Sequence, residues 1–162
     1  MVTYEFLDRR RLDHLTNNEI RNELPPNYEE LKKSANRTSN WRERLAAVEE
    51  LGKWNHKQTV DVLTRLMTSD AVYKVQEAAF RKLRAFGEDV KSPPKEKGDL
   101  IKGITKILLR IKKSLPAGHT YEEFKEKLKK MRIDVYDTYE GEKGADFDKW
   151  LETKWASLLT RI

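Results

Sequence analysis

The sequence contains no cysteine, which excludes disulfides, thiolate zinc sites and thiol nucleophiles and fits a reducing compartment. Histidine is scarce. His14, His56 and His119 stand singly, without a second His or a carboxylate at ligand spacing, so no metal site is assigned. Glycine is thin as well, at seven residues. There is neither a Gly-rich phosphate loop nor a Gly-x-Ser-x-Gly elbow, and hence no catalytic residue, cofactor or small-molecule substrate to nominate. No stretch approaches the roughly 20 apolar residues that cross a bilayer. Met1–Leu7 has no long apolar run behind a basic start, so it is not read as a signal peptide. These absences describe a non-enzymatic, cytoplasmic chain without a membrane span.

Strand patterning is lacking too. Only Arg132-Ile133-Asp134-Val135-Tyr136 alternates over a usable length, and a single short strand has no mate. Helix-start signals, by contrast, recur. Thr16 with Glu19, Asn27 with Glu30, Asn40 with Glu43 and Thr120 with Glu123 have capping-box spacing or its Asn equivalent. The expected helices span about 17–24, 27–36, 40–54, 56–68, 70–86, 98–114, 120–131 and 145–160, with the fold of 132–144 left open. His56 reads as a helix-start residue. The fold class is all-α.

What is present in place of a catalytic motif is a repetition. Arg44-Leu45-Ala46-Ala47-Val48-Glu49-Glu50-Leu51 returns 32 positions later as Gln76-Glu77-Ala78-Ala79-Phe80-Arg81-Lys82-Leu83. An Ala pair followed four residues later by Leu, at this period, is the mark of a two-helix solenoid unit. Asp70, Val75, Ala79 and Leu83 follow the turn-Asp, Val, Ala and Leu of a HEAT-type repeat, which the segment resembles over about residues 40–113. Gln76 stands where that family has Arg, and Glu43 where it has Val, whereas Arg44 keeps the Arg in the upstream copy. The resemblance implies a short right-handed α-α superhelix of antiparallel hairpins acting as a protein-interaction scaffold. The expected division is capping helices over 1–39, repeat hairpins over 40–114 and a C-terminal helical cap over 115–162. Helical-repeat DNA glycosylases are similar stacks, but no catalytic aromatic or acid of that family matches here.

Charge then points to one segment. The chain carries a formal net charge of +6. Residues 91–113 hold eight cations against Glu96 and Asp99, while the other segments are close to neutral. Along the expected helix 98–114, Leu100, Ile101, Ile104, Ile107, Leu108 and Ile111 form an apolar stripe. Lys102, Lys106, Arg110 and Lys113 run along the opposite face at i, i+4, i+8 and i+11. Such a row steers an acidic partner or neutralises phosphates, and it equally suits a solvated outer face. A protein partner is therefore the first expectation, and nucleic-acid backbone binding through this helix the alternative. Trp41 and Trp54 are the aromatic side chains able to anchor a partner, although Trp41 also suits a core position.

Two further readings are weak. The acids Asp137, Glu140, Glu142, Asp146 and Asp148 with Gly141 and Gly144 miss the ligand spacing of a calcium loop and read as a loop before a capped helix. A helix-turn-helix over 120–160 would put Asp146, Asp148 and Glu152 against phosphate, the wrong sign for a recognition helix.

Overall fold

A computed structural model describes residues 19–95 and 99–158 of the chain. The two Ala-pair segments are helices, and they pack on each other. α1 (Tyr28–Ala35), α2 (Trp41–Leu51), α3 (Lys57–Ser69) and α4 (Tyr73–Ala85) alternate direction as two successive hairpins. Ala47, Ala78 and Ala79 are at most 2% exposed. Their small side chains let α2 and α4 approach closely, and the branched residues Val48, Leu51, Val75 and Leu83 fill the space around them.

Local chemistry sets the helix starts. Asn40 accepts from the Glu43 N–H at 3.1 Å. His56 Nδ1 accepts from the Gln58 N–H, and the Thr59 hydroxyl accepts from the His56 N–H, closing a reciprocal cap on α3. Thr120 and Glu123 form the same box at α6 (Tyr121–Met131). α4 differs: Val72 occupies its cap position and has no side chain to cap with.

The expected helix at 17–24 is not formed over its described part. Arg21 is extended and bridges the turn after α2. Its N–H donates to Lys53 O at 2.9 Å, and its carbonyl accepts from the Asn55 N–H at 2.6 Å. Pro25 and Pro26 follow immediately, and a residue before proline is pushed out of the helical region. Thr16, His14 and the rest of residues 1–18 lie outside the described residues.

A second core holds α5 (Ile104–Lys113), α6, α7 (Ile133–Lys143) and α8 (Phe147–Ser157). Ile104, Leu108 and Ile111 of α5 meet Phe124, Leu128, Val135, Tyr139, Phe147 and Leu151 there. The apolar stripe that sequence reasoning grouped with the repeats thus packs on the C-terminal helices. α5 also starts later than expected. Gly103 adopts φ +76°, a left-handed backbone that favours glycine and breaks the helix, so Leu100, Ile101 and Lys102 lie in the turn ahead of it. Residues 132–144 resolve as a helix: Arg132–Tyr136 is helical from Ile133 onward, neither strand nor loop.

Among the described residues no helix is long and apolar enough to cross a membrane.

Candidate functional site

Lys106, Arg110 and Lys113 project from α5 on the side away from its buried residues, and Lys102 stands in the preceding turn. All four are exposed, and none takes part in a salt bridge among the described residues. Lys112 behaves differently although it is a neighbour in sequence. Its Nζ donates to the carbonyls of Trp155 at 2.6 Å and Leu158 at 2.7 Å, capping the end of α8. The cations from Lys102 to Lys113 therefore divide into four that face solvent, three lysines and Arg110, and one structural clamp, Lys112.

Trp41 is not available to a partner. It is 7% exposed, and its contacts are internal. Its backbone N–H donates to Asp137 Oδ1 at 3.0 Å and its indole Nε1 to Glu140 Oε1 at 2.9 Å. Arg42 and Lys74 lie over the ring. Trp54 is half-buried with Arg21 over its ring, so it staples the segment before α1 to the turn after α2.

Sequence reasoning missed the largest polar feature, a buried ion network centred on Arg44. The residue is 5% exposed. Its Nε donates to Asp70 Oδ2 at 2.8 Å and Nη2 to Asp70 Oδ1 at 3.2 Å; Nη1 donates to Arg37 O at 2.6 Å and reaches Asp137 Oδ2 at 3.4 Å. Asp70 also accepts from the Val72 N–H at 2.8 Å. The repeat's Arg on one hairpin thus grips the turn Asp of the next through a fork on a carboxylate. The same guanidinium extends to Asp137 on α7. The signal was present, since Arg44 and Asp70 both sit at motif positions, but the third member is 93 residues away in sequence.

The acidic run read as a loop proves to be the contact between the two cores. α7 lies across the N-terminal ends of α2 and α4. Asp137 accepts from Trp41 N–H, the first residue of α2, and Glu142 accepts from Tyr73 N–H, the first residue of α4. Carboxylates at these positions satisfy orphan donors and favour the helix dipoles, and Glu142 supplies the cap that Val72 cannot. Between them Glu140 forms a bidentate pair with Arg42, both bonds at 2.6 Å. That pairing, with the indole N–H, holds the Glu140 carboxyl below its ordinary value. Asp148 faces the other way, to Lys125 Nζ and the Tyr121 hydroxyl, which likewise lower its pKa.

Close approach depends on Gly141. A Cβ there would stand 3.0 Å from Trp41 Cγ and Cδ1 and from Val72 Cγ1, so glycine lets the α7 backbone lie against these side chains without displacing them.

A surface groove runs between α1 and α3, lined by Tyr28, Lys32, Asn36, Gln58, Asp61, Val62 and Arg65. At its far end it meets a recess floored by Arg44 and Asp70. Arg65 bonds Asn36 Oδ1 across the groove.

An all-helical stack of paired antiparallel helices, joined by an Arg–Asp pair between hairpins, defines a helical-repeat scaffold. Residues 28–95 match the model of the HEAT repeats family, so this segment is similar to HEAT-type helical repeats. The match begins twelve residues earlier than the resemblance read from sequence and ends before α5. HEAT repeats generally mediate protein–protein interaction, and the family is typically non-catalytic. No curated protein and no solved structure matches the chain.

Proposed function

We propose that the chain is a non-catalytic, cytoplasmic interaction module in which the HEAT hairpins receive a protein partner. The observation that carries this reading is the α1–α3 groove, a recess between successive hairpins with Tyr28 and Val62 along its floor and Lys32, Gln58 and Arg65 at its rim. An extended or helical segment suits it: the apolar floor supplies burial, and Lys32 and Arg65 against Asp61 leave one net positive charge to favour an acidic residue on the partner. The module divides into a repeat lobe ending near Pro93–Pro94 and a helical lobe beginning near Leu100, the second bracing the first. A photo-crosslinker at Gln58 and a control crosslinker at Glu77 test this assignment in the native cytoplasm. The expected result is one defined adduct from Gln58 that disappears when Arg65 is changed to Glu. Equal, diffuse adducts from both positions sink it.

A second reading is favoured by a separate observation. Lys102, Lys106, Arg110 and Lys113 are exposed and unpaired among the described residues, as expected of side chains that neutralise phosphates. In that reading the α5 row contacts a nucleic-acid backbone, and binding weakens steeply with salt.

A further inference from the structure

Trp150 is a half-buried aromatic residue that neither reading uses. Its ring lies flat on Tyr139, with centroids 4.5 Å apart and planes 10° from parallel. Tyr139 is itself fixed, being 3% exposed with its hydroxyl accepting from the Ile101 N–H at 3.2 Å. Trp150 therefore sits on a rigid support, and its ring borders a pocket lined by Lys143, Asp146, Lys149, Thr153 and Lys154. Three cations against one acid surround the indole, and Lys143 Nζ lies over the ring at 5.3 Å.

The pocket is linked to the turn before α5 through Tyr139. Ile101, immediately before Lys102, is hydrogen-bonded to the tyrosine on which Trp150 stacks, so the start of α5 lies near the start of α8. Lys112 reaches the carbonyls of Trp155 and Leu158, so their ends also meet. The two helices run side by side in the same direction, each presenting lysines outward.

We propose that this face binds single-stranded nucleic acid, with one base stacked at Trp150 and the backbone following Lys102, Lys106 and Arg110. The proposal rests on the second reading above, that the α5 row meets phosphates, and adds a base-stacking platform and a preference for single strands. Aromatic rings flanked by a basic track are the working parts of sequence-tolerant single-strand binding. A duplex suits the pocket poorly, because its bases are already stacked and must be extruded to reach an indole. Lysine ammonium groups serve as point charges for phosphate, and Lys143 has a flexible stem that swings from the ring to a phosphate as the base arrives. An acidic peptide would satisfy the lysines but leave the supported ring without a planar partner.

Fluorescence anisotropy of the full chain with a labelled thymidine oligonucleotide of about 16 nucleotides, its duplex and a polyglutamate competitor tests the assignment. Single strand should bind about tenfold more tightly than duplex, and Trp150→Leu should weaken it about tenfold while leaving the salt slope unchanged. Charge reversal at Lys106 and Arg110 should weaken binding and flatten the salt slope by about 1.4. Because Trp150→Leu disturbs packing, Lys149→Glu, at an exposed position, and quenching of native tryptophan fluorescence by the oligonucleotide provide independent readouts. Equal affinity for duplex, or no quenching with undiminished binding by both Trp150→Leu and Lys149→Glu, overturns the platform while leaving the row intact. Undiminished binding after charge reversal overturns the row itself. Absence of binding at low salt, or tighter binding of polyglutamate than of the oligonucleotide, overturns both.

Discussion

Among the described residues the repeat lobe and the C-terminal lobe each place four α-helices around one apolar core, but they are built from different materials. In the repeat lobe, α2 and α4 meet through Ala47, Ala78 and Ala79, and a buried Arg44–Asp70 pair joins the hairpins. In the C-terminal lobe, rings make the contacts. Tyr136 meets Phe147 edge-on at 5.1 Å, Tyr139 stacks on Trp150, and Trp155 gathers His119, Tyr121 and Phe124 around it. Small side chains at a fixed period allow one geometry to be copied along a stack. Large interlocking rings define a single arrangement that does not repeat. The first lobe suits extension by repetition, and the second suits a terminal brace.

The sharpest way to break this comparison is at the residue both lobes share. Arg44→Ala strips the partner from two buried carboxylates, Asp70 and Asp137, and should cost about 3–5 kcal/mol in denaturant unfolding. If the loss is below about 1 kcal/mol, the network contributes no more than a surface pair. Truncating one core leucine per lobe comes next: Leu83→Ala and Leu151→Ala, both fully buried, should each cost about 2–5 kcal/mol. Amide exchange in α6 and α8, set against amide exchange in α2 and α4, then reports whether the lobes unfold together. A single transition for both variants means that α7 welds them into one unit; separate transitions mean that it does not.

A third, smaller effect concerns the gap between α7 and the repeats. Gly141→Ala should cost about 1–3 kcal/mol and raise amide exchange at Trp41 and Tyr73, with the helical signal in circular dichroism retained. Exchange unchanged at those two amides would show that the contact yields freely. The smallest effect is the one read by pH. Glu140 has a carboxyl pKa held below its ordinary 4.5 by Arg42 and the Trp41 indole. Its stabilising effect is complete above that value and is lost as pH falls through the lowered native pKa. Glu140→Gln should therefore flatten the acid limb of a stability–pH curve and leave the curve above pH 6 nearly parallel. An acid limb identical to that of the native chain would remove Glu140 from the linkage.

Much of the repeat lobe was legible because its helices are amphipathic in the ordinary way. Each has a stripe buried on one side, and Asn40 with Glu43 announces the start of α2 by its spacing. α7 was not legible. Val135 and Tyr139 point into the C-terminal core, while Asp137, Thr138 and Gly141 are buried against the repeats. A helix covered by different partners on two sides has no single stripe to detect, and its acids look like a solvated run until their donors on α2 and α4 are seen. The same non-local logic moved Trp41 from candidate anchor to internal contact. The basic row was legible residue by residue, except that Gly103 places Lys102 ahead of the helix that carries the other three.

Asp137 and Glu142, the two feet that α7 sets on the repeat hairpins, are five residues apart, about 7.5 Å along the helix axis. A solenoid bends by small rotations between neighbouring units, and here such a rotation changes the spacing between the starts of α2 and α4. A rod of fixed length joining those two points resists that change, so α7 acts as a spacer that holds the two hairpins at one angle.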